Sequence, residues 1–146
     1  MWLLLLAAAL ALGGLLTVQA GSNAHLRTFL GAPLAAAIVN FVVGLVALAL
    51  WASVSRMTAP TVANAARAPW WAWIGGLIGA TYVVSAVVLA PRLGATLFFG
   101  VLVAGQLLGA VILDHFGWLG FPEQRVTLWR LAGVACLLAG VWLVKR

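Results

Sequence analysis

Long apolar runs separated by short polar stretches organise the chain: residues 2–21, 32–53, 71–90, 93–113 and 127–144. Each is close to the roughly 20 residues a helix needs to cross a bilayer. None has the alternation over about ten residues that marks a membrane barrel strand. The pattern predicts five transmembrane helices in one transmembrane domain over residues 1–146. Between them it places a short loop at about 22–31, a longer polar connection at 54–70, a tight turn at Pro91-Arg92, and a Gly- and aromatic-rich loop at 114–126. Pro33 falls in the first turn of the second helix, where its missing N–H has no partner to lose. Val18-Gln19-Ala20 has the small-x-small form of a signal cleavage site. No Lys or Arg precedes the run, however, and the run is long for a signal core, so it reads as a span.

Polar positions inside these runs are few. Gln19 and Asn23 lie four apart and share a face if the first helix reaches that far, with Leu12 and Leu16 continuing the stripe. Asn40 lies well inside the second run. A buried amide is costly in hydrocarbon unless paired. An interhelical hydrogen bond is its plain reading, and contact with a solute the sharper one. Polar groups spread over several spans suit a lined cavity. The candidate substrate-binding residues are therefore Gln19, Asn23, Asn40, Tyr82, Ser85 and Gln106. Gly75 and Gly79 in the third run, and Gly105 and Gly109 in the fourth, allow close helix approach. Asp114-His115, at the end of the fourth helix, reads either as a cap-and-loop pair or as a gating and proton-coupling pair, since histidine titrates near neutrality.

Composition narrows the class. Of 146 residues, 66% are hydrophobic and 7% charged, against about 25% charged in ordinary soluble domains. The chain reads as an all-α integral membrane protein. It holds one Asp, one Glu and two His, with no metal-ligand spacing and no nucleophile or phosphate-loop motif, so neither an enzyme, a metal nor a cofactor is expected. No acid lies at mid-membrane, so simple exchange of a proton against a cationic drug lacks its residue. The lone Cys136 reads as a small core residue. The net charge of +6 does not point to nucleic acid, because Lys and Arg sit singly at run ends where lipid headgroups explain them.

Charge placement also bears on topology. Five spans put the termini on opposite sides. Arg56, Arg67, Arg125 and Arg130 fall on the N-terminal side, and Arg27, Arg92, Lys145 and Arg146 on the other, four against four. Orientation follows the excess of Lys and Arg, and here there is none. The expectation is insertion both ways round and an antiparallel homodimer, or pairing with a homologue, giving a ten-helix inverted-repeat bundle with its site at the repeat interface. Trp is less even: all but Trp142 lie at or near the N-terminal side, which marks an anchored face.

Two internal echoes appear. Gly13-Gly14-Leu15-Leu16 resembles Gly75-Gly76-Leu77-Ile78, and Leu30-Gly31-Ala32 resembles Leu93-Gly94-Ala95, which would relate the first two helices to the next two. Taken together, the segment from Gln19 to Leu26, Gly75-Gly76 through Gly79 to Tyr82, Ala90-Pro91-Arg92 with Gly94, Ala104-Gly105-Gln106 and Asp114-His115 through Gly117 to Gly120 resemble the YdcZ-like family of the drug/metabolite transporter superfamily. The resemblance covers nearly the whole chain. It implies a multi-pass protein of the bacterial inner membrane with five helices, in a family whose members occur as dual-topology or paired subunits or as fused ten-helix chains. It also implies transport of a small organic solute, a metabolite or cationic compound, by alternating access. The shorter four-helix multidrug relatives carry a glutamate in their first helix. This chain has none there, so their mechanism does not carry over. The alternative is a non-transporting structural or assembly subunit of a membrane complex.

Overall fold

The computed structural model describes residues 1–146 and contains helices and connecting segments but no strand. The helices are α1 (Trp2–Leu30), α2 (Pro33–Val54), the short α3 (Val62–Ala66), α4 (Ile74–Leu93), α5 (Ala95–Phe116) and α6 (Leu128–Val144). Single 3₁₀ turns at Trp70–Trp73 and Trp118–Gly120 precede α4 and follow α5. Four segments are long and apolar enough to cross a membrane: Trp2–Leu30, Pro33–Val54, Trp70–Leu93 and Ala95–Phe116. At 17 residues, α6 is apolar but shorter.

The expected loop at 22–31 is instead helix. Gly21 and Ser22 resemble a stop signal, yet a glycine inside a helix costs only about 1 kcal/mol. Opening the backbone beside apolar helices leaves N–H and C=O groups unpaired, at several kcal/mol each. The helix ends at Gly31, whose φ of 76° is left-handed and whose N–H donates to the Arg27 carbonyl at 2.9 Å. Such a C-cap favours glycine. Pro33 then opens α2 as the sequence predicts.

The turn expected at Pro91-Arg92 also moves. The helix runs through Pro91 to Leu93, and the break falls at Gly94, with φ 80° and ψ 145°. Pro91 is tolerated because it lies in the last turn and frees a single carbonyl, that of Val87. The 54–70 connection contains α3, whose N-terminus is capped by Thr61: its hydroxyl accepts the Asn64 N–H at 3.3 Å.

Met1–Arg92 and Leu93–Arg146 form two compact units. In the first, α1 packs on α2, and the buried residues are mostly alanines: Ala20, Ala36, Ala37, Ala86 and Ala90, with Val83 and Val87. On α4, Val83, Ala86, Val87 and Ala90 recur at the three- and four-residue spacing of one helix face. Small residues let helix backbones approach where lipid offers no hydrophobic drive. In the second unit α5 packs on α6, with Phe98, Ala104 and Val134 buried. The close glycine contact there is at Gly100, where a Cβ would meet Val141 at 3.2 Å. Gly75, Gly79, Gly105 and Gly109 have open space where a Cβ would stand. Cys136, expected in the core, is exposed on α6, because the face of that helix packed on α5 is carried by residues such as Val134 and Val141.

Candidate functional site

Because α1 continues past Gly21, Gln19 and Asn23 do share one helix face, and α2 brings Asn40 against it. The Asn40 Oδ1 accepts from Gln19 Nε2 and from Asn23 Nδ2, each at 3.2 Å. Asn23 is buried, Asn40 half-buried and Gln19 exposed. One carbonyl oxygen has two lone pairs, and both are used here. That leaves Gln19 Oε1 and Asn23 Oδ1 as acceptors and the Asn40 amide as a donor of two N–H groups. The cluster is uncharged, and it can take a donor and an acceptor from one small molecule at once.

Two cavities adjoin it. One, of about 560 Å³, is lined by Gln19, Asn40, Phe41, Val43, Gly44, Leu45 and Leu48. The other, of about 470 Å³, is lined by Leu12, Leu15, Leu16 and Gln19, the continuation of the stripe that the sequence predicts. Gln19 borders both. Ligand pockets with apolar walls and a few convergent polar groups are the usual arrangement for small molecules. On α4, Tyr82 and Ser85 are half-buried and stand outside the amide cluster. Gln106 lies on α5, in the second unit, and is exposed.

Arg27 is a residue that sequence reasoning treats only as a topological charge. Its Nη1 donates to the Val87 carbonyl at 3.5 Å. In an unbroken helix that carbonyl would take the N–H four residues on, but that residue is Pro91, which has none. Two sequence signals could have marked it: Arg27 continues the four-residue spacing of Gln19 and Asn23, and a proline inside a helix leaves a carbonyl in search of a donor.

In the second unit Asp114 and His115 clasp the loop that follows α5. The Asp114 carboxylate pairs with Arg130 at 3.5 Å, and its carbonyl accepts the Gln124 N–H at 2.7 Å. The Val126 N–H donates to His115 Nδ1 at 3.2 Å. An accepting Nδ1 carries no proton, which places the ring proton on Nε2. Arg130 also donates to the Gln124 carbonyl at 3.0 Å and to its side-chain oxygen. Gly117 ends α5 in the left-handed conformation, and Phe116 stacks on Trp118 with ring centres 4.7 Å apart. Asp114 and Arg130 line a cavity of about 310 Å³ with Leu107, Ala110, Val111, Gly133 and Val134. The two neighbouring residues thus hold different partners rather than each other. Arg130 and Gln124 complete a clasp that the sequence reading does not anticipate.

Comparison with known proteins identifies a family and a relative. Residues 4–143 match the family described as "Putative inner membrane exporter, YdcZ". Inner membrane protein YdcZ of Escherichia coli (strain K12) is 33% identical over 115 residues, spanning 77% of this chain and 75% of that protein. No solved structure matches the chain.

Proposed function

This chain belongs to the YdcZ-like family of inner-membrane proteins, and from that premise we propose that it is the subunit of an exporter that moves a small organic solute by alternating access. The observation that carries the reading is the amide cluster of Gln19, Asn23 and Asn40 beside the cavity of about 560 Å³. In this reading those amides contact the solute, with Tyr82 and Ser85 contributing further polar contacts, and Gln106 is a separate candidate contact on the second unit. The helices α1, α2, α4, α5 and α6 are the five spans.

Two copies inserted in opposite orientations form the working dimer. The even division of basic residues supports this, as does the open space at Gly75, Gly79, Gly105 and Gly109, which leaves room for a second copy's helices. Asp114 and His115 close one end of each copy, and loosening of their clasp is the gating step.

The test compares the culture medium of cells expressing the chain, an Asn40→Leu variant, a Gln106→Ala variant, or nothing. Losing a polar contact to the solute should reduce export of at least one small solute about tenfold or more, with the variants inserted at levels near wild type. A medium unchanged by expression of the chain would favour a structural subunit of a membrane complex. Loss of folded Gln106→Ala protein would assign Gln106 to packing.

A further inference from the structure

The polar stripe of α1 does not end with its amides. Gln19, Asn23 and Arg27 follow one another at four-residue spacing on one uninterrupted helix, so the guanidinium emerges about one turn beyond Asn23 on the same face. Arg27 is half-buried, and its recorded partner is the Val87 carbonyl that Pro91 leaves free. That contact is weak for a cation. At 3.5 Å it exceeds the about 2.7–2.9 Å of a charge-assisted hydrogen bond. It also employs one of five N–H donors and offers a dipole rather than a charge.

No counter-ion is available within the unit. Residues 1–92 contain neither Asp nor Glu, and their other ionisable side chains are His25, Arg56, Arg67, Arg92 and the hydroxyl of Tyr82. Arg27 lies in the last turn of α1, where the negative end of the helix favours a cation but supplies no full counter-charge. Two of the unoccupied donors in the neighbouring cluster are the N–H groups of Asn40. The field and the free donors of this unit both suit a negatively charged oxygen.

We propose that Arg27 is the anchor of an oxyanion-binding site, taking a carboxylate or phosphate group next to the Gln19–Asn23–Asn40 cluster. A planar guanidinium grips either group with two parallel hydrogen bonds, and the Val87 carbonyl holds the fork in place until the oxyanion arrives. This deepens the export reading and rests on it. It narrows the expected solute from a metabolite or cationic compound to an organic anion, with the phosphate of a lipid headgroup as the other source of the same chemistry.

The test uses the full-length protein in phosphatidylcholine vesicles and reads the thermal unfolding midpoint. Sodium phosphate or sodium acetate should raise it by about 4 °C or more over sodium chloride at equal ionic strength, and tetramethylammonium chloride should not. Arg27→Gln should abolish the rise, and Arg27→Lys, which keeps the charge but loses the fork, should retain part of it. Pro91→Ala returns an N–H to the Val87 carbonyl and releases Arg27. If Arg27→Gln does not fold, the rise must persist or grow in Pro91→Ala, and its loss there overturns the proposal.

In phosphatidylglycerol vesicles, a midpoint already raised and indifferent to phosphate identifies the lipid headgroup as the oxyanion. A response that survives there identifies a soluble anion. No rise with either anion and none in phosphatidylglycerol overturns the site, as does an equal rise in Arg27→Gln. The two readings fail separately: a medium that loses an uncharged or cationic solute in Asn40→Leu, together with no anion response, keeps export and removes the anion.

Discussion

At Asn40 one carbonyl oxygen accepts hydrogen bonds from two side chains of the neighbouring helix, at 3.2 Å each. The energetic weight of that oxygen is set by its surroundings. Interhelical hydrogen bonds in membrane bundles average about 0.6 kcal/mol and reach about 1.7. Removing the acceptor also strands the Asn23 amide, which is 8% exposed, and a buried unsatisfied group costs about 1–3 kcal/mol. Asn40→Ala should therefore lower unfolding stability in detergent by about 1–2 kcal/mol. A double-mutant cycle with Asn23→Ala should return a coupling of about 0.5–1.5 kcal/mol. A coupling near zero would mean that the two amides do not depend on each other. Part of this was legible in the sequence: the four-residue spacing of Gln19 and Asn23, and the need of a buried Asn40 for a partner. The Arg27 contact was marked only in part, by its four-residue spacing from Asn23 and by Pro91, because which side chain meets the freed Val87 carbonyl depends on the fold.

Among the elements, the breaks fall at two glycines rather than at Gly21 and Pro91-Arg92, where the sequence pattern placed them. Leu30-Gly31-Ala32 and Leu93-Gly94-Ala95 both mark real breaks, and both glycines have positive φ, 76° and 80°. Their ψ values differ, −13° against 145°, so the two breaks share a signal without sharing a turn. The polar run from Gly21 to Arg27 misled, since its residues are typical of a loop while its neighbours keep it helical. The 114–126 loop was legible in position but not in its internal bonds, because Gln124 and Arg130 carry no local pattern that announces a clasp. His115→Phe keeps an aromatic ring and removes the acceptor of the Val126 N–H. Amide exchange at Val126 should quicken about fivefold, as expected for losing one hydrogen bond of roughly 1 kcal/mol. The amides of α5 before Leu107 should keep their rates. Unchanged exchange at Val126 would show that the clasp does not depend on His115.

At the scale of the molecule, the apolar runs identify the class and the approximate spans, while the charges leave orientation undetermined. Single cysteines placed near each terminus of a Cys136→Ala background should label with a membrane-impermeant reagent from both faces of the membrane, in comparable populations. Labelling of each end from one face alone would exclude dual topology. One further consequence follows from helix length. At 29 residues α1 is about 43 Å long and at 17 residues α6 is about 25 Å, beside a hydrocarbon core of about 30 Å. The apolar run of α1, residues 2–21, is about 30 Å long and matches that core, so the end of the helix from Ser22 to Leu30 projects beyond it, whereas α6 as a span would draw the bilayer thinner at a fraction of a kcal/mol per Å. A thinner bilayer should therefore favour insertion of α6 more than that of α1.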